Sequence, residues 1–492
     1  MKCLFLNVSL CLLLSTAFAN NIEVDNVSLT GQNTAEGYTQ VQFDINWENS
    51  WRISVGPANW DAAWVFVKYR VNGNNWRHAT LNAAGGTSPG GATLEVVPDQ
   101  TGAFLYRSAD GTGDVDWSDV QLRWNYSDDG VDDNALVDVQ VFAIEMVYVP
   151  TGEYRLGTGF SGTEIDEFYS LTPFGNFSIR SSYTVTSESA ITINSSAGNL
   201  YYDNTVNGGD QLGPIPAAFP KGFAAYYCMK YEVSQDQWIG FFNTLTQGQK
   251  TALDITGTSG KNTDEIATRN AVAWPDVGNA TTTLPNVAMN YLPNGFMLAY
   301  LDWAALRPMT EMEYEKSCRG TQTPVGDEFA WGNSNIHGLP YTLINEGTPA
   351  EQVSNPGSGV GNANYVTTNG STSGPKRCGV FAASALLNNR EETGGSYYGI
   401  MELSGNVYER AITVGNPEGR AFSGLHGNGS ITGAGAANVT NWPVASNVGI
   451  GYRGGSYING SQFILVSDRN DAANSFSGSN SRIGFRGVRT EQ

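Results

Sequence analysis

Five segments of alternating apolar and polar residues open this 492-residue chain and leave their region little choice but β-sheet. They are "YTQVQFDINW", "AAWVFVKYRV", "AFLYRS", "VQLRWNY" and "ALVDVQVFAI", separated by turn-rich pieces such as "VNGNN", "AAGGTSPGG" and "SADGTGD". A period of two puts every second side chain on one face of a strand, whereas a helix needs a period of about 3.6. Short strands at this spacing predict an all-β sandwich over residues 20–144. Trp47, Trp51, Trp60, Trp64, Trp76, Trp117 and Trp124 crowd the same region. An open aromatic platform for sugars is one use of such rings. Packing between sheets is the expected one, because Trp64 stands inside an apolar strand.

Beyond residue 144 the pattern changes. "EMVYVPTGEYRLGTG" reads as two short strands turning at Pro150 and Gly152, and residues 160–216 are rich in Ser, Gly, Asn and Thr, with an inserted hairpin expected in "SYTVTSESAITINSS". The first helix is expected in "EVSQDQWIGFFNTLT", where Ser234 and Gln237 have capping-box spacing and Trp238, Phe241, Phe242 and Leu245 share a face. "MTEMEYEKSCRG" announces another, with Thr310 as N-cap, Glu313 three positions on, Gly320 as its stop, and Met312, Tyr314 and Cys318 inward. A further helix is expected in "GFMLAYLDWAAL". Long Gly- and Asn-rich loops follow, and these need order from a packed scaffold of unusual backbone geometry or from bound metal ions.

Lys2, the apolar run "CLFLNVSLCLLLS" and the small residues Ala17 and Ala19 have the form of a secretory signal over residues 1–19, cut before Asn20. The run is too short to span a bilayer, and no later stretch could serve as a transmembrane segment. The expected location is therefore secreted, periplasmic or cell-surface associated. A net charge of -20 with 27 Lys plus Arg argues against a nucleic-acid partner, which needs clustered basic side chains. Once Cys3 and Cys11 leave with the signal, Cys228, Cys318 and Cys378 remain, enough for at most one intrachain disulfide. Buried free thiols and a Cys318 to Cys378 bridge both stay open.

From about Met146 to Thr490 seven segments occur in an order that carries identity: "MVYVPTGEYRLG", "YCMKYEVSQDQWIGFFN", "LRPMTEMEYEKSCRG", "FAWGN", "YYGIMELSGNVYER", "YRGGSY" and "RIGFRGVR". In these the chain resembles the formylglycine-generating enzyme family, also called the sulfatase-modifying factor family. The resemblance implies an α+β fold class, in which the N-terminal sandwich precedes a low-regularity, C-type-lectin-like domain over residues 145–492 with an inserted loop at about 160–216. The family's oxidases use two cysteines with bound copper. The first position matches Asn459, three residues past Ser456, and the second falls near Phe463 or Ile464; no cysteine follows Cys378. Copper(I) binding and thiol–disulfide chemistry both need thiolates, so no copper and no such oxidase activity are expected. The family's iron-dependent branch draws clustered histidines from a helical domain. Here His78, His337 and His426 stand apart, and the N-terminal domain is β.

The family's calcium loop is recognisable in "MELSGNVYER". The resemblance implies structural calcium held by Glu402, the carbonyls of Gly405 and Val407, and Glu409, a set that suits a hard cation. Glu402 is longer than the family's usual Asp or Asn. A second calcium site is implied at Asn364 and the carbonyl of Tyr365 in "NANYV".

The segment "YINGSQFILVSDRNDAANSFSGSNS", residues 457–481, is rich in Ser, Asn, Asp, Gly and aromatics, which supply adaptable hydrogen bonding and stacking. Arg453, Arg482, Arg486 and Arg489 frame it. It also resembles the C-terminal ligand face of variable proteins of diversity-generating retroelements. Candidate ligand-binding residues are Tyr457, Asn459, Ser461, Gln462, Asn470, Asn474, Ser475, Phe476, Ser479 and Asn480. The expected function is an exported, calcium-stabilised binding protein for a protein or glycan, on a scaffold that has lost its oxidase cysteines. Two alternatives stand beside it: an enzyme using Ser456, Asn459, His426 and Glu409 in another oxidation or a metal-assisted reaction, and a structural component of a cell-surface assembly.

Overall fold

The computed structural model describes residues 22–160, 162–174, 177–446 and 448–491. The expected signal peptide lies outside them. Nine strands open the described chain: β1 (Glu23–Asn33), β2 (Tyr38–Arg52), β3 (Asp61–Val71), β4 (Arg77–His78), β5 (Leu81–Thr87), β6 (Ala92–Val96), β7 (Ala103–Arg107), β8 (Gly111–Trp124) and β9 (Val137–Val149). The run "DAAWVFVKY" in β3 is buried without a break from Asp61 to Tyr69. A strand buried on both faces requires a packed layer on each side.

The first layer is an antiparallel sheet in the order β1–β2–β8–β5. From it Val41, Phe43, Ile45 and Trp47 of β2 meet Ala63, Val65, Val67 and Tyr69 of β3 in one apolar core. Trp47 and Trp117 pack edge to face there, ring centres 5.2 Å apart. The second layer lies against the opposite face of β3, where Ala62, Trp64 and Phe66 join a larger core with side chains of three of the four helices that follow, the first, third and fourth. These helices are α1 (Gln235–Asn243), α2 (Gln247–Ala252), α3 (Asn294–Trp303) and α4 (Glu311–Arg319). Phe66 meets Trp303 edge to face at 5.1 Å, and the indole N–H of Trp64 donates to the Ala304 carbonyl at 2.9 Å.

The sheet containing β3 has eight strands. Its order is β6, β7, β3, β9, then Tyr226–Met229, Gly487–Thr490 and Arg307–Pro308, with β4 also paired to β3. Strand β9 runs through residue 144 without interruption, pairing with β3 up to Val147 and with Tyr226–Met229 from Met146 to Val149. One sheet therefore serves both the N-terminal strands and the rest of the chain. Lys68 reinforces the junction, donating to the carbonyls of Trp303 at 2.7 Å and Gly429 at 2.6 Å.

Local rules place the helices. Ser234 with Gln237 caps α1 and Thr310 with Glu313 caps α4, each as a reciprocal box, and Thr246 with Gln249 does the same for α2. All nine residues of α4 are buried, beyond the expected inward face of Met312, Tyr314 and Cys318. Its carboxylates are paired: Glu311 with Arg453 and Arg469, Glu315 with Arg453 and Arg319, and Glu313 with Arg307.

One expectation is corrected and one open alternative is closed. The hairpin of the inserted region is Phe168–Phe174 with Phe177–Ser181, and "SYTVTSESAITINSS" forms none of its own. Tyr183–Val185 instead pairs with Tyr154–Leu156, because Tyr154, Leu156 and Val185 complete the main core. Cys228, Cys318 and Cys378 are all free and buried, so no Cys318 to Cys378 bridge forms. Among the described residues no helix is long and apolar enough to cross a membrane.

Cut after residue 144, the N-terminal strands would expose the face of Ala62, Trp64, Phe66 and Phe104 to water. A fragment of residues 22–144 is expected to bind a hydrophobic dye and to lack a cooperative thermal transition, whereas the full chain unfolds cooperatively. A monomeric fragment melting cooperatively in circular dichroism would contradict the shared-sheet architecture.

Candidate functional site

The site is built around a small sheet in which Tyr408–Ile412 pairs antiparallel with Ile450–Arg453 and parallel with Ile483–Gly484. The "RGG" that ends the edge strand Ile450–Arg453 has a steric reason. Gly454 and Gly455 take φ of 81° and 63°, and a Cβ on Gly455 would lie 2.4 Å from the Ile464 side chain. This turn carries Ser456 to Asn459 back across the sheet.

Asn459, where the resemblance puts the first oxidase cysteine, is held in a chain of hydrogen bonds. Ser456 Oγ donates to Asn459 Oδ1 at 2.5 Å, Asn459 Nδ2 to the Tyr408 hydroxyl at 3.0 Å, and that hydroxyl to Asp471 Oδ2 at 2.8 Å. Asn474 Nδ2 donates to the other Asp471 oxygen at 2.9 Å. Burial, and then the charge of Asp471, push the Tyr408 phenol up, which keeps it a donor. Ile464, near the second cysteine position, is fully buried with Phe329, Trp331 and Leu465.

Above this wall the surface is mixed. Ile458 and Phe476 are 42% and 45% exposed, Gln462 and Ser475 are exposed, and Asn459, Ser461, Asn470 and Asn474 are half-buried. Exposed Val366 adjoins them, its N–H donating to the Asn459 carbonyl at 3.0 Å. Ser479 and Asn480 turn toward the fold: Ser479 Oγ donates to the Gly260 carbonyl at 2.7 Å, and Asn480 Oδ1 accepts the Arg482 N–H at 3.2 Å. Tyr457 leaves the ligand-facing set. It is 2% exposed and its hydroxyl bonds Ser481, because the Gly-Gly turn directs its ring inward. Arg482 is only half-buried, so the buried frame is Arg453, Arg486, Arg489 and the unanticipated Arg469. Arg469 donates to Glu311 and to the carbonyls of Asp166 and Gly208, fixing the middle of the segment.

On the other side of the small sheet lie the calcium-loop residues. Glu402 Oε1 accepts the Gly379 N–H at 2.9 Å and Glu409 Oε1 accepts Arg486 Nε at 2.6 Å. The second oxygen of each carboxylate is buried without a hydrogen-bond partner, as is Asn364 Oδ1. Glu232, overlooked in the sequence, joins them by accepting the Val407 N–H at 3.0 Å and an Asn406 amide hydrogen. Burial pushes the Glu402 carboxyl up to about 7 and raises Glu409, and burial with repulsion from Glu409 raises Glu232 far above the carboxylate range. Orphaned buried oxygens in a loop rich in carbonyls are what a hard cation would satisfy. Among the described residues no three His, Cys, Asp or Glu side chains converge as a ligand set, so such a cation would depend on the Gly405 and Val407 carbonyls.

Tyr365 does not fit the second implied site. Its carbonyl already accepts the N–H groups of Thr368 and Asn369 at 3.0 and 2.9 Å. Asn364 braces the first loop instead, accepting the Asn406 N–H at 2.8 Å and donating to Asn406 Oδ1 at 3.1 Å.

Nothing assembles a catalytic set from Ser456, Asn459, His426 and Glu409. Ser456 bonds Asn459, Glu409 is committed to Arg486, and His426 Nε2 accepts the Thr490 N–H at 3.0 Å. His78 bonds Lys68 and His337 stacks on Tyr341, so the three histidines occupy separate environments.

A family model described as "Sulfatase-modifying factor enzyme 1-like domain" matches residues 140–491. Among solved structures the chain is similar to "Treponema denticola variable protein 1", at 13% identity and a TM-score of 0.31, covering 71% of this chain and 96% of that one. No curated protein matches it.

Burial pushes the thiols of Cys228 and Cys318 up to about 12 and that of Cys378 well above its ordinary value. At pH 8 all three stay protonated and unreactive. A disulfide reagent is expected to label none of them in the native chain and all three in guanidinium; rapid native labelling of any one would contradict the burial.

Proposed function

This chain belongs to the sulfatase-modifying factor enzyme 1-like family, and we propose that it is an exported, calcium-stabilised binding protein on a C-type-lectin-like scaffold, without the family's oxidase chemistry. The observation that supports this most is Asn459. An amide stands where the first reactive thiol would be, and its hydrogen bonds to Ser456 and Tyr408 make it part of a wall. An amide neither binds copper(I) nor exchanges disulfides. Formylglycine formed in a sulfatase peptide by the purified chain with copper would sink the proposal.

Recognition falls to the rim above that wall. Ile458, Phe476 and Val366 supply apolar anchors, and Gln462, Asn470, Asn474 and Ser475 supply hydrogen bonds. A mixed patch of this kind suits a protein surface, or a glycan stacked on Phe476. Replacing Ile458 and Phe476 together by Ser is expected to weaken ligand retention on the immobilised chain by about 30-fold, the scale of losing a central anchor of about 2 kcal/mol. Retention unchanged in a folded double variant would move the binding face elsewhere.

Calcium would be held by Glu402, Glu409 and the carbonyls of Gly405 and Val407, and it would stabilise the fold by binding only the folded state. At 100 times its Kd the cation contributes about 2.7 kcal/mol. Chelation is expected to lower the melting midpoint, and Glu409→Gln to abolish the calcium response. A midpoint indifferent to calcium and chelator would remove calcium from the proposal.

A further inference from the structure

Lys230, Glu145 and Asp61 come from three neighbouring strands' worth of chain: Asp61 begins β3, Glu145 lies within β9, and Lys230 follows Tyr226–Met229. Lys230 Nζ is 2.9 Å from Glu145 Oε2 and 3.8 Å from Asp61 Oδ2, and none of the three side chains is more than 3% exposed. The rings of Trp51 and Tyr231 close over the ammonium at 5.1 and 5.4 Å. Asp61 is the most tightly fixed member. Its Oδ1 accepts Ser50 Oγ at 2.7 Å and the Trp51 N–H at 3.0 Å, and its Oδ2 accepts the Trp47 indole N–H at 2.9 Å.

As an ion cluster the triad sets one cation against two carboxylates, all three buried. Burying charges that are not fully compensated is costly. Joining Lys230 to Asp61 as an amide removes the ammonium and one carboxylate charge together, and leaves Glu145 as the one charged group. We propose that the geometry of this triad forms an intramolecular amide between Lys230 Nζ and Asp61 Cγ, with Glu145 as the proton carrier.

The step balances without a co-reactant. Glu145 Oε2 takes a proton from the Lys230 ammonium, and the freed Nζ lone pair attacks Asp61 Cγ. Charge developing on Asp61 Oδ1 is met by the Ser50 hydroxyl and the Trp51 N–H. The Cγ–Oδ2 bond breaks, and Oδ2 leaves as water with one proton returned by Glu145 and one from the nitrogen. An ammonium and a carboxylate thus become an amide and one water. Burial raises the Asp61 and Glu145 carboxyls, which favours their uncharged forms. Burial works against the Lys230 ammonium, but Glu145, Tyr231 and Asp61 outweigh it and raise its pKa, so the ion pair precedes the proton transfer to Glu145. The product ties β3 to the chain after residue 226 across the intervening β9.

Mass spectrometry of the denatured full chain, with its N-terminus determined, tests this. The chain is expected to be lighter than its sequence by one water, about 18 Da, with a branched peptide joining the segments around Asp61 and Lys230. Asp61→Asn is expected to lose ammonia instead, about 17 Da, and Lys230→Arg to keep its full mass. Glu145→Gln, if folded by circular dichroism, is also expected to keep full mass; water loss persisting there would overturn the role given to Glu145. A folded wild-type chain at full mass, or a cross-link between other residues, would overturn the amide itself, whatever the variants do.

Discussion

Buried guanidinium groups on and around α4 are what the rest of this structure depends on. Glu311 and Glu315, one helical turn apart, hold Arg453 and Arg469 out of water, while Arg319 spans Glu315 and Glu328. Such pairs are weak evidence for added stability, since desolvation offsets much of the attraction. Removing one partner is another matter, because a lone buried charge costs about 3–5 kcal/mol. The network therefore specifies one arrangement of the loops more than it strengthens the fold.

A long, irregular chain also leaves many carbonyls without a helix or sheet partner, and buried carbonyls need donors. Arginine, with five N–H donors in a planar fork, supplies them. Arg410 donates to Leu292 and Gly478, Arg486 to Met229, Lys230 and Met401, Arg469 to Asp166 and Gly208, and Arg319 to Arg155. Lys316 does the same for Pro150 and Gly222. A strongly acidic protein thus spends many of its few cations inside, as hubs that hold loops in place. The wall carrying Asn459 inherits its rigidity from two of them, Arg453 below and Arg469 beyond.

Much of this was legible in the sequence where the signal is local. Alternation marked the first strands, and the Ser234 and Thr310 capping boxes marked their helices, because both depend on neighbours a few residues away. The continuity of β9 was not legible, since a strand that changes partners midway looks the same as one that ends. Arg469 was hidden for a different reason. It stands among Ser, Asn and Asp, a composition that reads as an exposed loop, and its partner Glu311 lies far away in sequence. Glu232 was passed over as part of a helix entry, although a carboxylate two residues before an N-cap has no role in capping. The Tyr365 carbonyl accepts two N–H groups from the turn that follows it, which no motif records.

The division of labour within residues 457–481 follows from which atoms hold the segment. The carbonyl of Ser477 accepts from Asn294, that of Gly478 from Arg410 and that of Asn480 from Tyr291. Tyr452 and Arg410 both reach the Phe476 carbonyl. These are main-chain acceptors, which every residue type carries, so the path of the loop is largely independent of the side chains it displays. Exposed positions such as Gln462, Ser475 and Phe476 can therefore change at a cost within about 0.5 kcal/mol, the usual range for surface substitutions away from special features. Arg453, Arg469 and the Gly454–Gly455 turn have no such freedom, because charge pairing and a 2.4 Å approach to Ile464 forbid it. A scaffold that fixes a loop through its backbone while leaving its side chains unconstrained is suited to recognition, where the displayed groups must be free to match a ligand without redesigning the fold beneath them.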